Sequence, residues 1–386
     1  MPVAASEVKL LRPTWAEISL SKLGRNFARV RELAGERKVM AVVKADAYGH
    51  GAVPVAQALA RAGADGFGVA TVEEAIELRA AGIRQPILLL GGLYMSDPAD
   101  LVEYDLTPAV SSTMRLDTYA EAARRAGRTI GFHLKLDTGL GRLGLPPDRL
   151  PAFIEHYRQL EGLELQGFFT HLASAEDQVS SQTDEQIERF DSGRETLEGA
   201  GIRPAWIHVS NSAALLARRS LRENMVRVGA LLYGYCLPLV LPDQRERAAE
   251  AAGYEPVLAL KSRIVYLKDV PRGTPLGYGA GFYTPRTSRI ATVPVGYADG
   301  LSRALTNRGR AIIRDRFARI VGAISMDLTL LDVTDVPGAD VGDEVILLGR
   351  SEHGSVTALE MAELAGTVPY EILCSIGRRV PRLYTQ

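Results

Sequence analysis

The sequence has little of several features that mark specialised classes of protein. Its 386 residues include only two cysteines, Cys236 and Cys374. Two cysteines cannot form a disulfide framework, and these two do not have the spacing of a metal site, so we expect both to be small core side chains. The amino terminus lacks a basic segment followed by an apolar one, so it does not resemble a secretory signal. These features predict a cytoplasmic protein without a metal centre.

A strong net charge and long apolar runs are also missing. The 45 basic and 46 acidic residues give a formal net charge of −1, so no global positive field favours nucleic acid or an anionic membrane. The longest apolar runs, such as 86–90, are far shorter than the about 20 residues of a membrane span. We therefore expect neither a nucleic-acid partner nor a membrane partner. The 46% of hydrophobic residues is what a globular protein with a large core requires.

The first two-thirds of the chain alternates short strand-like runs with helical patterns. One helix is marked by a capping box, in which Thr71 precedes Glu74 by three residues, and another is expected over 184–201. Eight strand-like runs, nearly all followed by a helix candidate, favour a closed parallel (β/α)8 barrel of the TIM type over an open sheet. The runs are 39–44, 67–70, 86–90, 107–111, 129–137, 163–170, 206–210 and 225–229.

The pattern changes after Pro238. Residues 242–253 are charged and alanine-rich, as in a linker or a short helix. Beyond them, short alternating strands separated by turns predict a mostly antiparallel β domain. A ninth strand-like run, 14–20, precedes the first helix and is therefore assigned to the β domain. The predicted organisation is a barrel over 20–240 and a β domain over 241–386, joined by an amino-terminal strand within 1–19.

Lys44 stands at the carboxyl end of the first predicted barrel strand, where barrel enzymes place their active sites. A partly desolvated lysine has a lowered pKa and acts as an amine nucleophile, although a strand-end lysine alone is more often an exposed residue. The segment Val42–Gly51, VVKADAYGHG, closely resembles the cofactor-lysine motif of the alanine racemases. The resemblance implies that Lys44 holds pyridoxal 5'-phosphate (PLP) covalently and that Tyr48 hydrogen-bonds its phosphate.

The resemblance to this family covers nearly the whole chain. The segment His133–Gly144 resembles the loop that binds the substrate carboxylate, to which Arg142 can donate two parallel hydrogen bonds. The resemblance also implies that Lys135 is carboxylated at Nζ and supports Arg142. A bare ammonium would repel the guanidinium, whereas a carbamate would pair with it.

Arg227 lies in an apolar strand, where an unpartnered charge is costly to bury. The resemblance gives it a partner, the pyridine nitrogen of PLP. Because arginine only donates, that nitrogen would stay unprotonated and the ring would be a weaker electron sink. His171 would lie near the ring, although a histidine at a strand end could equally be a core residue. The other cofactor contacts implied, mostly with the phosphate, are Asn211, Ser212, Gly229, Ala230 and Tyr370.

Tyr278 lies between two glycines, which favours a tyrosine that projects from its domain. In the family this tyrosine is the second acid–base group and reaches the site across a dimer interface. A tyrosine titrates near ~10 and needs help to act as a base at neutral pH, and His171 is its proposed hydrogen-bond partner. The resemblance further implies that the Met326 backbone lies near the substrate carboxylate and that Tyr297 narrows the entrance together with Tyr370.

The sequence therefore predicts a PLP-dependent racemase that interconverts L-alanine and D-alanine. Lys44 and the partner subunit's Tyr278 would act on opposite faces of Cα in a homodimer with shared sites, and the product would supply peptidoglycan. Three alternatives stay open: a broad-specificity or serine racemase, a PLP-dependent decarboxylase of the same architecture, and a non-catalytic PLP-binding protein. The last resembles only the barrel, so a complete second domain argues against it.

Overall fold

The computed structural model describes residues 11–217, 221–240, 246–247 and 253–386. The chain divides into two compact units. The barrel unit comprises Leu23–Ala47 and Ala52–Glu255, and the β unit comprises Met1–Lys22, Tyr48–Gly51 and Pro256–Gln386. The boundaries expected from the sequence, 20–240 and 241–386, stay a proposal. Within the described ranges, no helix is long and apolar enough to cross a membrane.

The barrel unit contains an eight-stranded parallel sheet in which neighbours along the chain pair in order. The last of these strands returns to pair with the first, Met40 lying opposite Arg227. Hydrogen bonds from the amides of Asn224 and Arg227 to the segment 207–210 link the two remaining edges. The eight strands are β2 (Lys38–Val42), β3 (Gly66–Val69), β4 (Ile87–Leu89), β5 (Thr107–Val110), β6 (Ile130–Lys135), β7 (Leu163–Phe169), β8 (Trp206–His208) and β9 (Met225–Val228).

Helices follow the barrel strands, as the sequence pattern predicts. The capping box at Thr71 is present, because its hydroxyl accepts from the Glu74 amide and the Glu74 side chain accepts from the Thr71 amide. The helix expected over 184–201 starts two residues earlier. The helices are α1 (Leu20–Ala34), α2 (Lys44–Gly49), α3 (Ala52–Arg61), α4 (Val72–Ala80), α5 (Ala99–Glu103), α6 (Leu116–Ala126), α7 (Leu150–Tyr157), α8 (Gln182–Gly199) and α9 (Ser212–Ala217).

Two short paired strands, β10 (Leu239–Val240) and β11 (Glu246–Arg247), follow the barrel. The sequence analysis predicted a linker or a short helix over 242–253. Within that segment, residues 242–245 and 248–252 lie outside the described residues.

The β unit is built on one large sheet with the order β13-β16-β19-β18-β17-β20-β12-β1-β22. All its pairs are antiparallel except β1 with β22, so the amino-terminal strand is an integral part of this sheet. Two helices, α10 (Ala358–Ala365) and α11 (Pro369–Cys374), precede the last strand. The strands of the unit are β1 (Thr14–Ser19), β12 (Leu258–Arg263), β13 (Tyr266–Val270), β14 (Pro275–Leu276), β15 (Phe282–Tyr283), β16 (Ser288–Val293), β17 (Arg310–Ile313), β18 (Arg316–Ile320), β19 (Thr329–Asp332), β20 (Glu344–Arg350), β21 (Ser355–Val356) and β22 (Arg382–Thr385).

The predicted fold class, a (β/α)8 barrel followed by a mostly antiparallel β domain, is confirmed. The first residue of each of the eight strands lies within two positions of the start of the run expected from the sequence. Apolar runs bounded by turn residues are therefore a sufficient signal for strands that helices cover on one side and the barrel interior on the other.

Candidate active site

Lys44 begins a turn of unusual handedness just beyond the carboxyl end of β2. Residues 45–48 all have φ between 52° and 55° although none of them is glycine. Left-handed helical backbone costs an L-residue roughly 1–2 kcal/mol, so the surroundings must hold this turn in place. One such contact is the Glu74 carboxylate, which accepts from the Ala45 amide at 2.6 Å. The turn fixes where the Lys44 side chain leaves the backbone.

Lys135 ends β6 with its side chain buried in the barrel unit. Within the described part of the chain it has no hydrogen-bond or ion-pair partner, and its Nζ lies 5.9 Å from the centre of the Phe169 ring. Burial, followed by the positive charges of Arg142 and Arg227, lowers the pKa of Lys135 to about 8. The amine is therefore partly neutral near neutral pH.

Arg142 lies on the exposed loop that follows β6, as the sequence analysis expected. The loop is ordered by the Asp137 carboxylate, which accepts from the amides of Gly139 and Gly141 at 3.1 and 3.0 Å. The Arg142 guanidinium makes no hydrogen bond to other described residues, so its planar donor face is available to a carboxylate.

Gln186, a fully buried residue of α8, connects the Arg142 loop to His171. Its amide nitrogen lies 3.2 Å both from the Thr138 hydroxyl and from the His171 carbonyl oxygen, and its oxygen accepts from the Ala173 amide at 2.8 Å. All the polar atoms of this buried amide are thus used, which holds two candidate segments in a fixed relation. Sequence reasoning missed Gln186, because nothing in its local pattern distinguishes it from a surface residue of a polar helix.

His171 is surrounded by positive charge. Burial lowers its pKa to about 3, and Arg227, Lys135, Arg142 and Lys44 contribute in that order. The imidazole is therefore neutral at physiological pH and offers one donor and one acceptor. Because the four candidate cations act on this one ring, His171 lies in the same part of the barrel unit as they do.

Arg227 lies buried in the barrel and donates four hydrogen bonds. One terminal nitrogen donates to Nδ1 and to the carbonyl oxygen of His208 at 2.7 and 2.8 Å, and the other donates to the carbonyl oxygens of Thr170 and Val209 at 2.6 and 3.2 Å. A guanidinium has five N–H groups, so among the described residues Nε–H alone lacks an acceptor. Burial lowers the pKa of Arg227 to about 10, which leaves it protonated at neutral pH.

Ser212 and the segment 229–231 come together where β9 ends. The Ser212 hydroxyl oxygen accepts from the amides of Gly229 and Leu231 at 3.1 and 3.3 Å, so its proton remains free to be donated. The Ala230 amide has no acceptor within the described ranges. Asn211 caps the start of α9 by accepting from the Ala214 amide at 2.9 Å. The arrangement leaves a hydroxyl and an amide available to an anion.

Tyr48 and Tyr370 are in contact within the β unit. Their ring centres are 6.0 Å apart with an edge-to-face angle of 79°. Burial, with a smaller effect from Cys374, raises the pKa of Tyr48 to about 12. Its hydroxyl therefore stays protonated and can donate to an anion.

Tyr278 projects from the β unit with 77% of its surface exposed. The glycine before it has φ 72°, and a Cβ there would lie 2.7 Å from the Ala323 amide nitrogen. Only glycine fits at position 277 without displacing that backbone. The close approach explains one of the two flanking glycines, and the exposure agrees with the expectation that this tyrosine points away from its own domain.

Tyr297 and Met326 lie on two loops that are bonded to each other. The Tyr297 amide donates to Ser325 O at 3.0 Å and the Ala298 amide donates to Met326 O at 3.1 Å. A Cβ at Gly296 would lie 2.3 Å from Ser325 O, so the loops approach as closely as glycine permits. Tyr297 and Met326 are both partly exposed.

Asp299 ties these loops to the amino-terminal segment. Its carboxylate is fully buried and receives two hydrogen bonds from Arg12, at 2.7 and 2.8 Å, and one from the Gly296 amide at 3.0 Å. Arg379 lies 3.3 Å away on the same carboxylate. Neither Asp299 nor Arg12 was a candidate from the sequence, because 287 positions separate the two partners.

Models of known families match both parts of the chain. The alanine racemase N-terminal domain matches residues 18–237, and the alanine racemase C-terminal domain matches residues 257–384. This chain belongs to the alanine racemase family. Alanine racemases are isomerases that act on amino acids, and the chain is therefore an enzyme of that class.

Relatives and solved structures agree with this assignment over almost the full length. The chain is 41% identical to alanine racemase 2 of Caldanaerobacter subterraneus subsp. tengcongensis, over 97% of this chain and 95% of that one. The alanine racemase of the D-cycloserine-producing Streptomyces lavendulae has a TM-score of 0.90 and 35% identity, with 97% of each chain covered. The alanine racemase of Clostridium difficile, solved in complex with cycloserine, has a TM-score of 0.86 and 38% identity, with 98% of this chain and 96% of that one covered.

Proposed function

We propose that this chain interconverts L-alanine and D-alanine with PLP held covalently by Lys44. The observation that carries the proposal is the group of cations in the barrel unit. Lys44, Lys135, Arg142 and Arg227 all act on the neutral ring of His171. An amine, a free guanidinium and a buried guanidinium with one unused N–H are what an amine-linked cofactor and an amino-acid carboxylate require.

The donor set of the barrel unit fits PLP. The phosphate would accept from the Ser212 hydroxyl and the Ala230 amide, with Asn211 and Gly229 shaping that turn. The protonated Tyr48 hydroxyl, packed against Tyr370, is a further donor proposed for the phosphate. The pyridine nitrogen would accept from the unused Nε–H of Arg227.

When bound, PLP supplies an electron-withdrawing ring that stabilises negative charge at the substrate Cα. Arg227 would moderate this effect, because it would donate to the ring nitrogen without giving up its proton. Weaker delocalisation favours return of the proton to Cα over its transfer elsewhere. That property suits racemisation.

Two groups would exchange the Cα proton. We assign the Lys44 amine to the face that gives D-alanine and the hydroxyl of Tyr278 of the partner subunit to the opposite face. The exposure of Tyr278 on its own unit supports a role in another subunit. Arg142 and the Met326 backbone would hold the carboxylate, while Tyr297 and Tyr370 would restrict the entrance to a small side chain.

We further propose that Lys135 is carboxylated at Nζ. A buried amine without a hydrogen-bond partner, with its pKa lowered to about 8 beside Arg142, is both reactive towards CO2 and destabilised as a cation. The resulting carbamate would pair with Arg142.

Racemisation of L-alanine by the purified protein with added PLP tests the proposal. We expect loss of optical rotation and exchange of the Cα proton with solvent deuterium, and inhibition by cycloserine, the compound bound in the solved C. difficile relative. L-serine should react more slowly and L-lysine should not react. Equal turnover of the three amino acids would support a broad-specificity racemase. Release of CO2 would support a decarboxylase. Absorbance of bound PLP without any turnover would support a non-catalytic PLP-binding protein.

The homodimer, the supply of D-alanine for peptidoglycan and the cytoplasmic location also stay proposals. Growth of a D-alanine auxotroph that expresses this chain, compared with the same strain expressing a Lys44→Ala variant, tests the physiological role. Growth that depends on added D-alanine in both strains would contradict it.

A further inference from the structure

A cavity of about 240 Å³ lies at the amino-terminal end of the barrel strands. Its lining includes the first residues of β5, β8 and β9, which are Thr107, Trp206 and Met225. Lys44 follows the opposite, carboxyl end of β2. The cavity is therefore separate from the group of cations described above.

Most of the cavity wall is apolar. Met40, Leu88 and Met225 form a buried cluster against which Trp206 packs. The charges near the cavity are already paired, since Lys38 lies 3.0 Å from Asp65. An ion entering this space would lose its hydration without gaining a free counter-charge. The wall thus favours an uncharged occupant, and its indole ring and thioethers favour an aromatic one.

His133 is the buried polar group that faces this cavity. Only 4% of its surface is exposed, and its Nδ1 lies 2.8 Å from Nε2 of His208. Its Nε2 has no hydrogen-bond partner among the described residues, although His133 is part of the cavity lining. The cavity therefore contains a buried polar atom, Nε2 of His133, that an occupant could satisfy.

The protonation of that atom follows from Arg227. A guanidinium only donates, so Nδ1 of His208 must accept from it at 2.7 Å. Nε2 of His208 then carries the proton and donates to Nδ1 of His133. His133 is neutral, because burial lowers its pKa to about 3, and its proton must be on Nε2. The cavity consequently presents a hydrogen-bond donor at the end of a chain that starts at Arg227.

We propose that this cavity is a binding site for a small uncharged aromatic molecule that carries one hydrogen-bond acceptor. A closed apolar cavity of about 150 Å³ holds benzene, so the larger volume here has room for a ring with a short substituent. The acceptor would bond to Nε2–H of His133. Hydrogen bonds in a chain polarise one another, so occupancy would strengthen the bond from Arg227 to His208. Through Arg227, the ligand would modulate the cofactor ring, a consequence that rests on the proposed function.

Phenol is the probe that matches these features, and toluene has the same shape without the acceptor. Ligand-detected NMR on the PLP-loaded enzyme should show that both molecules bind. Intermolecular nuclear Overhauser effects should connect each of them to Trp206, Met40 and Met225. The proton on Nε2 of His133 should shift downfield with phenol and not with toluene. Binding is measured without turnover, so it can succeed or fail independently of the racemase proposal.

Two variants at Thr107 locate the site. Thr107→Phe places a ring in the cavity and should weaken phenol binding about tenfold or more, whereas Thr107→Val keeps the volume and should change it less than about threefold. His133→Phe should lower the ratio of phenol affinity to toluene affinity roughly three- to tenfold, the value of one neutral hydrogen bond. The ratio cancels any general effect of the substitution on folding.

The proposal is overturned if phenol does not bind, or if Thr107→Phe binds it as well as Thr107→Val does. An unchanged phenol-to-toluene ratio in His133→Phe would show that the histidine is not the recognition group. If phenol binds but leaves the cofactor absorbance spectrum unchanged, the link to Arg227 is refuted while the binding site stands.

Discussion

Two tyrosines with proposed roles in the reaction, Tyr48 and Tyr278, lie in different environments. Burial keeps the Tyr48 hydroxyl protonated. Tyr278 is exposed on its own unit, so its proposed role depends on the contacts that the partner subunit would provide. In the proposed mechanism the same residue type would therefore serve as a fixed donor at position 48 and as an acid–base group at position 278.

Replacing Tyr278 by Phe should leave PLP bound and remove turnover. We expect the visible absorbance of the cofactor to be unchanged and kcat to fall about 10²- to 10⁴-fold, the usual contribution of a positioned acid–base group. The matched control is Tyr283→Phe, because Tyr283 is also an exposed tyrosine of the β unit. Normal racemisation by Tyr278→Phe would refute the two-base assignment.

Carboxylation of Lys135 should depend on pH in a way that its pKa determines. The neutral amine is the form that reacts with CO2, and its fraction rises about tenfold per pH unit until the pKa near 8 and then levels off. At a fixed CO2 concentration, the rate at which ¹³C-labelled carbamate forms in NMR spectra should follow that curve. The exposed, ion-paired Lys38 provides the comparison within the same chain. A labelled signal that survives in Lys135→Arg would contradict the assignment.

At the scale of elements, the left-handed turn of residues 45–48 is an energetically costly local structure next to Lys44. Glu74 supports it from α4 by accepting from the Ala45 amide, and the same carboxylate accepts from the Ala70 and Thr71 amides. One side chain therefore fixes the start of α4 and the turn of residues 45–48 together.

Glu74→Ala should loosen this turn and weaken PLP binding about tenfold, because a charge-assisted hydrogen bond contributes about 1.5–3 kcal/mol. Equilibrium dialysis of PLP measures the change directly. Glu77→Ala, at an exposed position of the same helix, controls for the loss of an acidic residue from α4. Equal PLP affinity in the two variants would show that Glu74 does not support the turn.

The elements were predictable to different degrees. Strands such as β6 and β9 follow from apolar runs between turn residues, because nearly every residue of these covered barrel strands is buried. The turn at 45–48 could not be predicted, since Ala, Asp, Ala and Tyr favour right-handed backbone and a contact from α4 stabilises the other hand. The Asp299–Arg12 pair was likewise hidden, because a local pattern contains no information about a partner 287 positions away.

For the molecule as a whole, the proposal of shared active sites predicts how many intact sites a mixed dimer contains. If each site uses Lys44 of one subunit and Tyr278 of the partner subunit, a dimer of one Lys44→Ala chain and one Tyr278→Phe chain contains one doubly altered site and one intact site. Each variant alone should be inactive.

Mixing the two inactive variants in equal amounts, with unfolding and refolding, should restore about one quarter of the wild-type activity, because half of the dimers are mixed and each has one intact site. A mixture of Lys44→Ala with a Lys44→Ala/Tyr278→Phe double variant is the control and should stay inactive. Failure of the first mixture to recover activity would place both groups in one chain.

The pairing of β1 also determines when the β unit can form during synthesis. Its two neighbours, β12 and β22, contribute partners such as Ser262 and Arg382, hundreds of positions after Thr14. At ribosomal speeds of about 5–20 residues per second, β1 waits tens of seconds for its first partner. All the barrel strands leave the ribosome in that interval, and until β22 follows, one edge of β1 stays open to pairing with other chains. The first strand to be translated is thus among the last to be paired on both edges.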